Sequence, residues 1–220
     1  MSVELKKRIL TSLVLLSLLL LMYFYSYIMI ISLIVVAIIT WIEFYALISK
    51  IILKNSLKDK IFRFLYKLVS LLYLSSLVFL ILYIESFNTE FKVYLLFTVL
   101  VSILTDIGGF AFGKTFKGRK LTKISPKKTI SGSIGSFIFA LFLIPFFYDK
   151  LIKYEFITIV VFTILISLTS QLGDICISYL KRKANVKDTS DILPGHGGFL
   201  DRIDGMIFAL PIGILLFKIF

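Results

Sequence analysis

Asp174, Ser178 and Lys181 open the densest stretch of chemically able side chains in this 220-residue chain. Arg182, Lys187 and Asp188 follow, then Pro194-Gly195-His196-Gly197-Gly198, then Asp201-Arg202-Ile203-Asp204. Cations and carboxylates alternate, and the glycines let backbone approach a ligand or donate N–H groups to phosphate oxygens. Asp201 and Asp204 are three apart, so they share a face at the start of the last helix. The helix dipole favours carboxylates there, and such a pair can hold a divalent cation with hard oxygen ligands. His196 is the only histidine; flanked by glycines in a charged loop, it reads as a group near a ligand.

A second candidate spans 106–133. Asp106, Gly108-Gly109, Gly113 and Gly118 are interleaved with Lys114, Lys117, Arg119, Lys120 and Lys123, and then come Ser125-Pro126-Lys127-Lys128-Thr129. It reads as a basic loop suited to a polyanion such as a triphosphate or a lipid head group. The competing explanation is that a cytosolic loop fills with lysine whatever it binds. No Gly-x4-Gly-Lys-Ser/Thr pattern occurs, which argues against an ordinary P-loop NTPase.

The elements that must position these groups are membrane helices. Hydrophobic residues make up 59% of the chain and mean hydropathy is +0.98. A soluble domain of this length could not bury so much apolar surface in one core. Apolar runs fall near 9–25, 27–48, 65–84, 93–112, 134–148, 156–179 and 205–220. Most approach the ~20 residues needed to cross a ~30 Å hydrocarbon core. The runs at 134–148 and 205–220 are short. The fold class expected is therefore all-α, a polytopic transmembrane helix bundle of about seven spans, with 1–220 as one membrane domain.

Charge orients it. Twenty-one of the 25 Lys and Arg precede the first run or lie in alternate loops, near 50–67, 113–133 and 181–202. Only Lys92, Lys150, Lys153 and Lys218 fall on the other side. Positive loops stay in the cytosol, which puts the N-terminus and both candidate regions there. The same asymmetry accounts for most of the net charge of +12 without nucleic acid. No small-residue cleavage site follows the first run, so it reads as an uncleaved helix. The single Cys176 excludes an internal disulfide and reads as a small packing residue.

Ionisable groups inside a bilayer are costly and need a reason. Glu43, Asp106 and Asp174 each lie toward the cytosolic end of a span. They could converge on a cation or polar cavity, or each could pair with a lysine or cap a helix. Thr163, Ser167, Ser170, Asp174, Ser178 and Lys181 recur at steps of three and four, so they share one helix face. The stripe suggests the wall of a wet cavity; its small hydroxyl residues would equally suit close helix packing.

The stretch from Ser178 through Lys181-Arg182, Lys187-Asp188 and Pro194-Gly-His196-Gly197-Gly198 to Asp201-Arg202-Ile-Asp204 resembles the signature of phosphatidate cytidylyltransferases. Asp106-Ile-Gly-Gly-Phe-Ala-Phe-Gly113 and Ile124-Ser125-Pro126-Lys127-Lys128-Thr129 look like two further blocks of that family, in order. Where the family usually continues Thr-Trp-Glu-Gly, this chain has Thr129-Ile130-Ser131-Gly132, so the acidic residue is absent at 131. The chain also looks shorter than typical members.

The resemblance implies a catalytic half at about 93–220 that transfers a cytidylyl group from CTP to phosphatidic acid. It implies Mg²⁺, with a second, monovalent cation such as K⁺ beside it. By motif position Asp174 and Asp201 would hold the metal, with Asp204 and Asp188 as further ligands. Lys181, Arg182, Lys187 and Arg202 would grip phosphates beside Ser178, Gly197 and Gly198. Ser125, Lys127, Lys128 and Thr129 would help bind CTP, and His196 would assist the leaving pyrophosphate. Membrane lipids and CTP are the expected partners, nucleic acid is not, and a homodimer is the assembly considered. The expected location is a bacterial inner membrane with the active site facing the cytosol. Two rivals remain at this stage: another CTP-dependent lipid enzyme (a polyprenol kinase or CDP-archaeol synthase), and a membrane transporter.

Overall fold

The computed structural model describes residues 3–53, 56–87, 91–122, 125 and 128–219. Among these there is no strand, only two isolated bridges, Lys120 with Thr129 and Leu193 with Gly197. The helices are α1 (Val3–Phe24), α2 (Ser26–Ile51), α3 (Leu57–Phe87), α4 (Phe91–Phe116), α5 (Ile130–Leu141), α6 (Ile144–Phe147), α7 (Phe156–Lys183) and α8 (Leu200–Ile219).

Among the described residues, five segments are long and apolar enough to cross a bilayer: Ser26–Ile51, Leu57–Tyr83, Phe91–Phe116, Ile130–Lys150 and Phe156–Lys183. α1, whose apolar part Ile9–Phe24 is shorter, and α8 complete the seven apolar segments expected from hydropathy. The chain is an integral membrane protein. Large side chains such as Tyr27, Phe79 and Phe146 stand mostly exposed, as lipid-facing residues must where the surrounding solvent is hydrocarbon.

The chain divides into two compact units. One takes Met1–Thr89 with Leu180–Ile203, the other Glu90–Tyr179 with Asp204–Phe220. The segment 93–220 thus contributes to both.

In the second unit, small residues set the helix packing. A Cβ on Gly108 would lie 2.4 Å from the Gly135 carbonyl, and one on Gly135 would lie 2.4 Å from Phe112 Cβ. A Cβ on Gly109 would lie 2.8 Å from Ser136 Oγ, one on Gly132 2.8 Å from the Gly109 carbonyl, and one on Gly113 3.1 Å from Thr129 Oγ1. α4 and α5 therefore touch backbone to backbone, the small-x-x-x-small contact that works in lipid without a hydrophobic drive. This corrects the reading of 106–133 as one basic loop. Asp106–Phe116 is helical, and its glycines serve packing rather than ligand approach.

The short run at 134–148 grows at both ends for related reasons. α5 begins at Ile130 because Thr129 caps it, its side chain accepting from Gly132 N–H at 3.1 Å. The helix breaks at Phe142–Leu143, ahead of Pro145, and resumes as α6 and a 3-10 turn to Lys150.

The upper half of the α7 stripe is also packing. Thr163, Ser167 and Ser170 are fully buried. Ser167 Oγ accepts from Thr105 at 2.8 Å, and Ser170 bonds Ser102 at 2.7 Å. They do not line a wet cavity. Cys176, expected as a packing residue, is exposed. At the far end, Tyr94, Phe97, Tyr154 and Phe162 gather around Phe217. Tyr154 O–H donates to the Phe217 carbonyl at 2.7 Å, so a buried hydroxyl and an otherwise unpaired helix-end carbonyl satisfy each other.

Candidate active site

In the first unit, the stretch between α7 and α8 is a tightly turned loop. α7 stops because Asn185 adopts a left-handed φ of 54°. Asn185 N–H then donates to Arg182 O at 3.1 Å and Val186 N–H to Lys181 O at 3.0 Å. That is a Schellman end, with Asn tolerating the conformation that usually needs glycine. Next, Leu193-Pro194-Gly195-His196 makes a turn: His196 N–H reaches Leu193 O at 2.9 Å, and Gly195 takes φ 77°. Proline then glycine at the two central positions is what a type II turn requires. Thr11 O–H on α1 donates to Pro194 O at 3.0 Å, and Ser12 Oγ lies 3.3 Å from His196 Nε2. His196 is therefore placed by the turn and held against α1.

The loop closes on Asp201. Its Oδ2 accepts from Gly198 N–H at 3.0 Å and Thr189 N–H at 2.8 Å, and Thr189 Oγ1 lies 3.0 Å away. Its Oδ1 pairs with the Lys181 ammonium at 2.7 Å. Asp201 precedes the apolar run of α8. Burial pushes its carboxyl up, but the Lys181 ammonium and the Thr189 and Gly198 N–H groups outweigh burial and hold it below the ordinary carboxylate value. Gly197 has φ 81°. A Cβ there would lie 2.9 Å from Asp201 Oδ2 and 3.1 Å from Asp188 Cβ. A Cβ on Gly198 would lie 2.1 Å from Thr189 Oγ1 and 2.6 Å from Glu43 Oε2. The glycine pair is thus enclosed by Glu43, Asp188 and Asp201.

Glu43 is the residue the motif did not include. It is 2% exposed and reaches this loop from α2, far away in sequence. The sole signal in the sequence was a carboxylate inside a span, and of its two readings, helix capping is the one realised.

In the second unit, Asp174 pairs with Lys128 and accepts from Ser178 O–H at 3.1 Å. Lys128 also reaches Gln171 O at 3.4 Å. The segment before α5 folds back on itself, Leu121 N–H donating to Lys128 O at 2.8 Å and Ile130 N–H to Arg119 O at 3.0 Å. Lys117 and Gly118 take positive φ at the exit from α4. Ser131, which stands where the family usually has an acidic residue, donates to Lys117 O and so pins that exit. Ser125 O accepts from Lys128 N–H at 3.0 Å, while Lys127 lies outside the described residues.

Of the candidate residues, Lys181, Asp188, Gly197, Gly198 and Asp201 come together in the first unit, and Lys128, Asp174 and Ser178 in the second. Arg182, Lys187 and Arg202 are exposed. Asp204 is buried and accepts from Gly205 N–H at 2.9 Å. Among the described residues, no three His, Cys, Asp or Glu side chains gather as a metal cage.

Comparison with known proteins identifies the family. The family model for the cytidylyltransferase family matches residues 2–220. A phosphatidate cytidylyltransferase of Staphylococcus saprophyticus is 39% identical over 142 residues, covering 63% of this chain and 54% of the relative. One from Bacillus subtilis is 39% identical over 129 residues, covering 58% and 48%. One from Rickettsia bellii is 38% identical over 159 residues, covering 67% of each chain. The chain spans about half the length of most of these curated relatives. With the family match running the length of the sequence, and the signature folded into one glycine-lined, carboxylate-anchored loop, this chain belongs to the cytidylyltransferase family.

Proposed function

We propose that this protein transfers the cytidylyl group of CTP to phosphatidic acid, giving CDP-diacylglycerol and pyrophosphate. The family match over residues 2–220 carries the reading, together with relatives named phosphatidate cytidylyltransferase. A phosphatidate oxygen attacks the α-phosphorus of CTP, the bond from that phosphorus to the bridging oxygen breaks, and pyrophosphate leaves with the electron pair. The lipid phosphate is the nucleophile, so the protein needs none of its own. Its task is to position two polyanions and neutralise their charge.

The residues suit that task. Gly197 and Gly198 let the loop backbone close directly against Glu43, Asp188 and Asp201, which orders the segment that carries the cations. Arg182, Lys187 and Arg202 are exposed cations on or beside the same segment, and Ser125, Lys127, Lys128 and Thr129 supply a second basic element for CTP. His196, held in its turn, is available to the leaving pyrophosphate. For Mg²⁺ the donors fit in kind: Asp174 and Asp201 offer hard oxygens, with Asp188 and Asp204 nearby in the signature. Mg²⁺ commonly takes only one or two carboxylates and fills its shell with water and substrate phosphate. Bound there, it would neutralise charge on the triphosphate. A monovalent ion such as K⁺ beside it, a homodimeric assembly, and a cytosol-facing site in a bacterial inner membrane belong to the same reading.

The test is direct. Purified protein is given labelled CTP and Mg²⁺ with phosphatidic acid, a polyprenol and the phosphate of an archaeal ether lipid in competition, and lipid products are separated by thin-layer chromatography. CDP-diacylglycerol that disappears with EDTA supports the proposal. A phosphorylated polyprenol, CDP-archaeol or no CTP-dependent product would overturn it.

A further inference from the structure

We propose that Glu43 of α2 is a positioning residue for the active-site loop, a carboxylate clamp that holds both ends of 189–200 and thereby sets Asp201. The inference rests on the reading of Asp201 as part of the active site.

Glu43 is saturated from one segment alone. At the start of the loop, Ser190 O–H donates to its Oε1 at 2.5 Å and Thr189 Oγ1 lies 3.0 Å from its Oε2. At the far end, Phe199 N–H donates to Oε1 at 3.0 Å and Leu200 N–H to Oε2 at 2.7 Å. Those two amides open α8 and have no partner within the helix, so Glu43 caps a helix to which it does not belong. Between the clamped ends lie Pro194, Gly195, His196, Gly197 and Gly198.

Two backbone N–H groups, one on each oxygen, and two hydroxyls face this side chain, an array that suits a carboxylate. A glutamine would turn its NH₂ toward one of the two backbone N–H groups. A buried charge is retained only where such compensation exists. Packing alone would have been served by leucine.

The link to Asp201 is Thr189. Its hydroxyl oxygen lies 3.0 Å from Glu43 Oε2 and 3.0 Å from Asp201 Oδ2, with one proton to donate. Its N–H also donates to Asp201. Glu43 thus fixes the residue that fixes the aspartate. Gly198 has to lack a side chain because Glu43 and Thr189 occupy the space its Cβ would take.

The test compares wild type with Glu43→Gln in two assays. Amide hydrogen exchange without substrates should show protection of 188–202 lost in the variant while α3 and the α4–α5 pair stay as in wild type. Steady-state cytidylyl transfer should show kcat lowered roughly 10- to 100-fold, with KM for CTP and phosphatidate little changed. Should Glu43→Gln fail to fold, Ser190→Ala and Thr189→Val each remove one donor, and each should give the same local pattern in weaker form. Unchanged exchange in 188–202, or lost protection with undiminished kcat, would overturn the clamp. If wild type makes no CDP-lipid at all, the functional reading falls, and the exchange data still decide whether Glu43 orders the loop.

Discussion

Asp201 and Lys181 meet at 2.7 Å with both side chains largely withdrawn from solvent, the aspartate 2% and the lysine 13% exposed. Removing one partner of such a pair costs more than the pair is worth, because the other charge stays buried alone. Asp201→Asn should therefore abolish cytidylyl transfer, by about 100-fold or more, while the protein still inserts into membranes. It should also lower stability by about 1–3 kcal/mol, since the amide cannot accept from every donor around Oδ2. Activity near wild type would remove Asp201 from the site.

The same carboxylate predicts acid sensitivity. Its pKa is lowered in the folded protein from the ordinary 3.8. The stability it contributes is fully present above that ordinary value, and is lost as pH falls from there through the depressed folded value. Thermal unfolding in detergent should show wild type losing more stability between about pH 6 and about pH 3 than Asp201→Asn does. Equal losses would mean that Asp201 does not carry this pH dependence.

Gly198→Ala places a methyl carbon 2.1 Å from Thr189 Oγ1. Overpacking of this kind costs roughly 1–3 kcal/mol, and activity should fall with it. If Thr189 is the obstacle, Gly198→Ala combined with Thr189→Ala should be less damaged in melting temperature than the sum of the two single changes. Simple additivity would point to Glu43 as the sole obstacle.

A contrasting prediction concerns the membrane fold. Gly135→Ala would force its Cβ against Phe112, and should lower the melting temperature by an amount equivalent to about 1–3 kcal/mol. Exposed Lys50 makes no comparable contact, and Lys50→Gln should be nearly silent in both stability and turnover.

Chelation is the remaining check. EDTA should stop turnover, and Mg²⁺ should restore it, without unfolding the protein, because Lys181 and Lys128 already compensate Asp201 and Asp174. Unfolding on chelation would instead make the metal structural.

Much of this was legible in one dimension. Long apolar runs must become membrane helices, since a backbone in hydrocarbon has to satisfy its own hydrogen bonds. The alternation of basic loops follows from the same sequence, and the order of Pro194, Gly195, His196, Gly197 and Gly198 already demanded a turn before a helix. Spacing along α7 placed Asp174, Ser178 and Lys181 on one face. These are local or compositional properties, so the residues themselves determined them.

What the tertiary structure decided depends on what lies opposite. Whether Gly108, Gly109 and Gly113 admit a ligand or a neighbouring helix turned on the presence of Gly132 and Gly135 across from them. Ser167 and Ser170 could have faced water until Thr105 and Ser102 met them. Glu43 looked like a lone carboxylate in a span because the hydroxyls and N–H groups that meet it stand about 150 residues away. A side chain's type states which hydrogen bonds it must make; only the folded chain supplies the partner that makes them.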